Sequence, residues 1–259
     1  MSTPAAAADK YVDLLKPRFH MGHIMPPGGS GLRRGRNYEL YRLVPLDVME
    51  SSVALGIKDY TVEGVEEAMG NFWNCVNTLA AEKVDVIILG GVPISSQLGR
   101  PRVRALLEEV KAKTGIIGAS CLESIIDSLR HLGATKITIG SRWADQLNEA
   151  MVRYLTEAGI EVLHCTKRGQ WAGEAFGMSF EEGLRMAVDV AREAAQAAPE
   201  ADAVLLPGGA AMSIHAVVAV EEEFGKPALT NLTAHVSKYM VRPGVIEPVR
   251  GWGKLLATP

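Results

Sequence analysis

Cys121 stands in Gly118-Ala119-Ser120-Cys121-Leu122-Glu123, where an apolar run of strand length gives way to a helical one. A thiol at a helix N-terminus has its thiolate favoured by unpaired backbone N–H groups and the positive end of the helix dipole. Such a group could move a proton or attack an electrophile; the competing reading is a small buried cysteine used for packing. Cys75, inside an amphipathic run, and Cys165, at a strand edge, read as inert. Lys58 and Tyr60 are two further proton carriers, set against a solvated lysine and a packed tyrosine. His215 falls on the first turns of a helix, where one histidine is more often structural, and Ser213 is too close to it to build a triad. His20 and His23, three apart in a strand, project to opposite faces and cannot share a metal. HExxH, CxxC, GxSxG, GxxxxGK[ST] and GxGxxG are all absent, so neither a metal nor an organic cofactor is expected.

Two other stretches invite a ligand by what they lack. "VIILGG" (86–91) and "AVLLPGG" (203–209) each run four apolar residues into paired glycines and then into a helical pattern. Ligands of parallel sheets bind beyond the carboxyl ends of strands. A glycine there lets a ligand approach the backbone, and consecutive N–H groups form a nest for an anion. One such pair is only a tight turn. Two in equivalent positions predict a carboxylate or enolate gripped from both sides by Gly91, Val92, Gly208 and Gly209, while Pro93 has no N–H to offer. The loop after Met25 carries Pro26, Pro27 and Gly28, then Arg33, Arg34 and Arg36. It reads either as a lid pairing guanidinium groups with an anionic substrate or as a solvated surface loop.

These groups need a frame. Apolar runs alternate with helical periodicity nearly throughout, the pattern of βαβ units and a parallel sheet. Strands are predicted at 19–25, 84–89, 115–118, 136–140, 161–164, 203–206 and 228–231. Val62, Val65, Met69, Phe72, Val76 and Leu79 predict one buried helical stripe capped by Thr61. Trp143, Leu147, Met151 and Leu155 predict another. Both glycine-tipped strands follow an acidic residue and are followed by a helix, a Lys/Gly turn and a further strand. The halves therefore predict duplicated lobes related by a pseudo-twofold. The expected division is a tail at 1–16, a first lobe at 17–118 plus 229–259, and a second at 119–228.

Of the 259 residues 47% are hydrophobic and 22% charged, and the net charge is −3. That balance gives no basic field for nucleic acid or an anionic membrane. No apolar run approaches the roughly 20 residues of a membrane-spanning helix. The opening "MSTPAAAADKY" lacks the basic and apolar regions of a secretory signal, and three sparse cysteines fit a reducing compartment. The expectation is a cytoplasmic α/β protein whose partner is a small carboxylate, with a homo-oligomer possible.

The order and spacing of several stretches resemble the Asp/Glu racemase superfamily, in its arylmalonate decarboxylase and maleate cis-trans isomerase branch. They are "MGHIMPPGG" (21–29), "LGIKDYTVEGVE" (55–66), "VDVIILGG" (84–91), the long run at 124–163, "ADAVLLPGG" (201–209), "VEEEFGKPALT" (220–230) and "GWGKLL" (251–256). The resemblance covers about residues 19–256. It implies two flavodoxin-like αβα lobes, a substrate cleft between them, and chemistry without metal or organic cofactor at carbons next to carboxylates. It also implies a cysteine at both glycine-tipped strand ends in racemases and isomerases, and only at the second in the decarboxylase. Gly91 and Gly208 stand there instead, which disfavours two-thiol racemisation and thiol addition to an alkene. The decarboxylase pattern further implies hydroxyl residues at Val92 and Pro93 and a tyrosine at Trp143, all departures here. Ser120 matches a family serine, and Ile57, Tyr60 and Phe176 match an apolar pocket.

The expected function is that of a cofactor-independent lyase or isomerase acting beside a carboxylate of a small organic acid, decarboxylation of a malonate-like acid first. The alternatives are a maleate-type isomerase or racemase with a non-standard acid/base, and a carboxylate-binding protein without chemistry. The expected catalytic residues are Cys121, Tyr60 and Lys58. Substrate binding is expected from Pro26, Pro27, Gly28, Gly91, Val92, Pro93, Ser120, Trp143, Phe176, Gly208 and Gly209.

Overall fold

Two parallel sheets of four strands form in the computed structural model, which describes Val12 and residues 15–26, 33–209 and 213–259, with 33–37, 175 and 176 described by backbone alone. In the first, β1 (Phe19–Met25), β2 (Val48–Ala54), β3 (Val86–Leu89) and β4 (Ile117–Ser120) lie in the order β2-β1-β3-β4. In the second, β5 (Lys136–Ile139), β6 (Glu161–Cys165), β7 (Ala203–Leu206) and β8 (Ala228–Thr230) lie in the order β6-β5-β7-β8. The second order repeats the first with every number raised by four. This is the expected α/β architecture, and the glycine-tipped strands β3 and β7 hold equivalent places.

Burial explains which strands the sequence announces. β1, β3 and β7 are buried at every residue, because helices cover both faces of a parallel sheet; β3 and β7 are wholly apolar, and in β1 the buried His20 and His23 are paired with Ser51 and Glu50. β2, an edge strand reading "VMESSVA", has one fully buried position and alternates weakly, so the apolar pattern does not predict it. β4 sits at Ile117–Ser120 rather than 115–118. The acids that precede β3 and β7 are register pins. Asp85 accepts from the His20 N–H at 2.6 Å at the start of β1. Asp202 accepts from the N–H groups of Thr135 and Lys136 at 2.9 and 2.8 Å at the start of β5, and these bonds hold its carboxyl below the usual range.

Helices join the strands. Arg33, Arg34 and Arg36 lie in helix α1 (Arg33–Leu43), so they do not belong to a loop. The single stripe predicted over 62–79 is two helices, α2 (Val62–Met69) and α3 (Phe72–Ala81), with Val62 exposed; Thr61 caps α2, its hydroxyl accepting from the Gly64 N–H. Next come α4 (Val92–Leu98), α5 (Arg100–Thr114), α6 (Cys121–His131), α7 (Asp145–Glu157) and α8 (Phe180–Ala197). Trp143 precedes α7 rather than sitting in it, although it is buried as its place in the pattern requires. The chain closes with α9 (Ile214–Phe224), α10 (Asn231–Val236) and α11 (Lys254–Ala257). The closing segment returns to the first sheet, where Ile246 and Leu256 join the core cluster of Phe19 and Met21. Among the described residues no helix is long and apolar enough to cross a membrane.

Candidate active site

All eight strands send a residue from their carboxyl ends into one cavity of about 600 Å³ of empty volume, including its opening to solvent. Met25 and Pro26 come from β1, Tyr60 from the loop after β2, Gly91, Val92 and Pro93 from β3, and Cys121 from β4. Arg142 and Trp143 follow β5, Ala172 follows β6, Gly208 and Gly209 follow β7, and Asn231 follows β8. The two glycine corners, 117 positions apart in sequence, thus meet across one space. A cleft between duplicated sheets is where the topology directs a ligand.

Gly91 has φ +89° and Gly208 φ +96°, conformations a side chain resists. The N–H groups of Gly91, Val92, Gly208 and Gly209 donate to no other described residue. Four such donors around one cavity suit an oxyanion. The helical pattern follows Gly91 at once, whereas on the other side α9 starts only at Ile214.

Cys121 is the first residue of α6 and is 1% exposed. Ser120 before it is not a lining residue. It is the helix cap, its hydroxyl accepting from the Glu123 N–H, and its place fixes that of the thiol. The Cys121 Sγ lies 3.6 Å from Nε2 of His235, whose Nδ1 lies 3.1 Å from the Ser124 hydroxyl. His23, which lines the cavity, packs its ring edge-on at 6.3 Å from His235, with its Nδ1 3.1 Å from a Glu50 carboxylate oxygen. A thiol at a helix N-terminus, hydrogen-bonded to an imidazole, is the composition of an activated proton carrier. Sequence patterning points to the thiol and not to the imidazole, because 114 residues separate them.

Tyr60 lines the cavity, buried enough that its phenol is pushed well above its usual range, with Arg142 opposing the shift. Lys58 does not reach the cavity. It is exposed and paired with Glu67 at 2.6 Å, a solvated lysine rather than a proton carrier. Ile57 sits in the core and not in the cavity wall. Pro27 and Gly28 lie outside the described residues, as does the side chain of Phe176. Cys75 is buried in α3, and Cys165 at the end of β6 is pushed up to about 12 by burial; neither lines the cavity. His215 packs against Trp252 and Tyr38, away from the cavity.

Arg142 is the residue that sequence patterning does not single out. It is 5% exposed, its Nε has no hydrogen-bond partner, and its guanidinium makes no ion pair with a described residue. Beside it the indole N–H of Trp143 is buried and unpaired, as is the Asn231 Oδ1. All three residues line the cavity, which gives its wall polar groups for a polar guest.

A sequence-family model for arylmalonate decarboxylase matches residues 21–256. The chain belongs to the arylmalonate decarboxylase family. The arylmalonate decarboxylase of Bordetella bronchiseptica is 25% identical over 214 residues, covering 83% of this chain and 86% of that one. A crystal structure of arylmalonate decarboxylase superposes with a TM-score of 0.74 at 24% identity, over 93% of this chain and 100% of the other. The maleate isomerase Iso from Pseudomonas putida S16 superposes with a TM-score of 0.78 at 19% identity, over 92% and 98%. Both structures share the two-sheet fold of this member of the arylmalonate decarboxylase family.

Proposed function

We propose that the protein is a cofactor-independent lyase that decarboxylates a small malonate-like acid, with Cys121 as the proton donor. The observation that carries this reading is the meeting of both glycine corners and Cys121, which His235 backs from behind, on one cavity. The hard part of decarboxylation is holding the charge that develops on the retained carboxylate, and preorganised donors supply that. The C–CO2 bond breaks, its electron pair passing to the α-carbon as an enediolate, and CO2 leaves. Cys121 then gives its Sγ proton to that carbon, and the thiolate, held by His235, takes a proton from water. The net change is one dicarboxylate dianion and one proton becoming CO2 and a monocarboxylate.

Racemisation and isomerisation rank second. A two-base racemase needs a carrier on each face of the substrate, and Cys121 is the one cysteine among the residues lining the cavity. A binding protein without turnover is favoured by one observation, the side-chain-free corners at Gly91 and Gly208. CO2 release from aryl, alkenyl and hydroxy malonates decides between them. Turnover that falls away in Cys121→Ala supports the lyase. Silence across the panel, with malonates raising the thermal midpoint, identifies a binder.

A further inference from the structure

We propose that Arg142 seats the carboxylate the substrate keeps, over the Gly208 corner, so that the departing carboxylate faces the Gly91 corner, which has no arginine or lysine among the described residues. A Cβ built on Gly208 would lie 3.1 Å from Arg142 Nη1 and 3.1 Å from Trp143 Cζ2. The guanidinium and the indole therefore flank the space that any side chain at position 208 would take. Arg142 Nη1, the Trp143 ring and the backbone N–H groups of Gly208 and Gly209 are gathered at that end. At the other end the side chains of Met25, Val92 and Pro93 are apolar, and among the described residues the N–H groups of Gly91 and Val92 stand without a cation, or a Pro93 N–H, beside them. Charge is best stabilised where it grows and least welcome where CO2 must leave neutral, so the two ends are matched to the two carboxylates.

A buried cation without an anionic partner is costly; the Arg142 guanidinium lies 5.5 Å from the centre of the Trp143 ring and faces no carboxylate of a described residue, which leaves room for an anionic guest. Burial alone pushes the Arg142 guanidinium down to about 10, with only the Tyr60 phenol acting against it. Arg100, which is partly buried, shows the contrast. It is held by both oxygens of Glu123, at 2.8 and 3.3 Å.

The proposal rests on the cleft being a substrate site, and binding without turnover keeps the two separable. Calorimetry on the whole protein with acetate, malonate, succinate and phenylacetate, each beside its neutral amide, measures the anion preference at neutral pH. The wild type is expected to bind at least one acid and not its amide. In Arg142→Met that acid weakens roughly 10- to 100-fold, the size of a charge-assisted bond, while Arg142→Lys keeps part of the affinity. The ligand-free Arg142→Met protein is expected to melt higher than wild type, because an uncompensated buried charge is gone; a merely structural arginine would give a lower melting point. Equal binding of the acid by wild type and Arg142→Met overturns the proposal, as does a wild type that binds none of the acids, or a ligand-free Arg142→Met protein that loses stability. A protein that binds acids through Arg142 yet releases no CO2 leaves this proposal standing and removes the lyase reading.

Discussion

Cys121 and Asn231 hold equivalent places on opposite sides of the cleft. Each opens the helix that follows the last strand of its sheet, behind a hydroxyl cap, Ser120 for one and Thr230 for the other. One carries a thiol backed by His235 and the other an amide. A proton can therefore reach the substrate carbon from the first side alone. A prochiral disubstituted malonate should give one enantiomer of the monoacid, read by chiral chromatography; a racemic product made enzymatically would contradict this one-sided arrangement.

The Cys121–His235 contact should also be visible in thiol reactivity. A small reagent such as methyl methanethiosulfonate should modify Cys121 before Cys165, although Cys165 is the more exposed, because the Cys165 thiol is pushed up to about 12 by burial. Excess carboxylate should slow Cys121 and leave Cys165 unchanged. Cys121→Ala should lower kcat by roughly 100-fold or more, the scale of a lost general acid. Mass spectrometry that finds Cys165 labelled first would contradict the assignment.

Restoring a side chain at Gly208 should fail. Its φ of +96° and the contacts 3.1 Å from Arg142 and Trp143 oppose any Cβ. Gly208→Ala should cost about 1–3 kcal/mol in denaturant unfolding, and Gly208→Cys should lower activity. A Gly208→Cys protein as stable as wild type would show that Arg142 and Trp143 do not close the corner against a side chain.

His215 offers a test of stability against pH. Its imidazole is held below its usual value of 6.5 by burial first and by the charge of Arg42 second. The folded state thus prefers the neutral ring. The stability is fully present above pH 6.5 and is lost as pH falls through the lowered folded value. His215→Phe should flatten that decline in thermal midpoints measured from pH 7 downward. An unchanged slope would contradict burial of this ring as its cause.

Much of this frame was legible in sequence, because a central parallel strand can only be an apolar run, as at 203–206, and because a doubled Gly-Gly repeats a constraint on the backbone. β2 was hidden by its edge position, which lets Glu50, Ser51 and Ser52 replace the apolar signal. The break between α2 and α3 was hidden because the apolar spacing runs on across Gly70 and Asn71. Arg142 and His235 could not be found by pattern, since a single arginine reads as solvated and a single histidine as packing until the fold brings their partners close. The signal for Arg142 was its neighbour. Arg142 adjoins Trp143, where the resemblance implies a tyrosine.

The most direct test is a crystal structure of the Cys121→Ala protein with a substituted malonate. One carboxylate should lie over the Gly208 and Gly209 N–H groups beside Arg142, the other toward Val92 and Pro93, and the α-carbon should face position 121. A malonate bound away from the glycine corners, or with its α-carbon turned from position 121, would contradict the account.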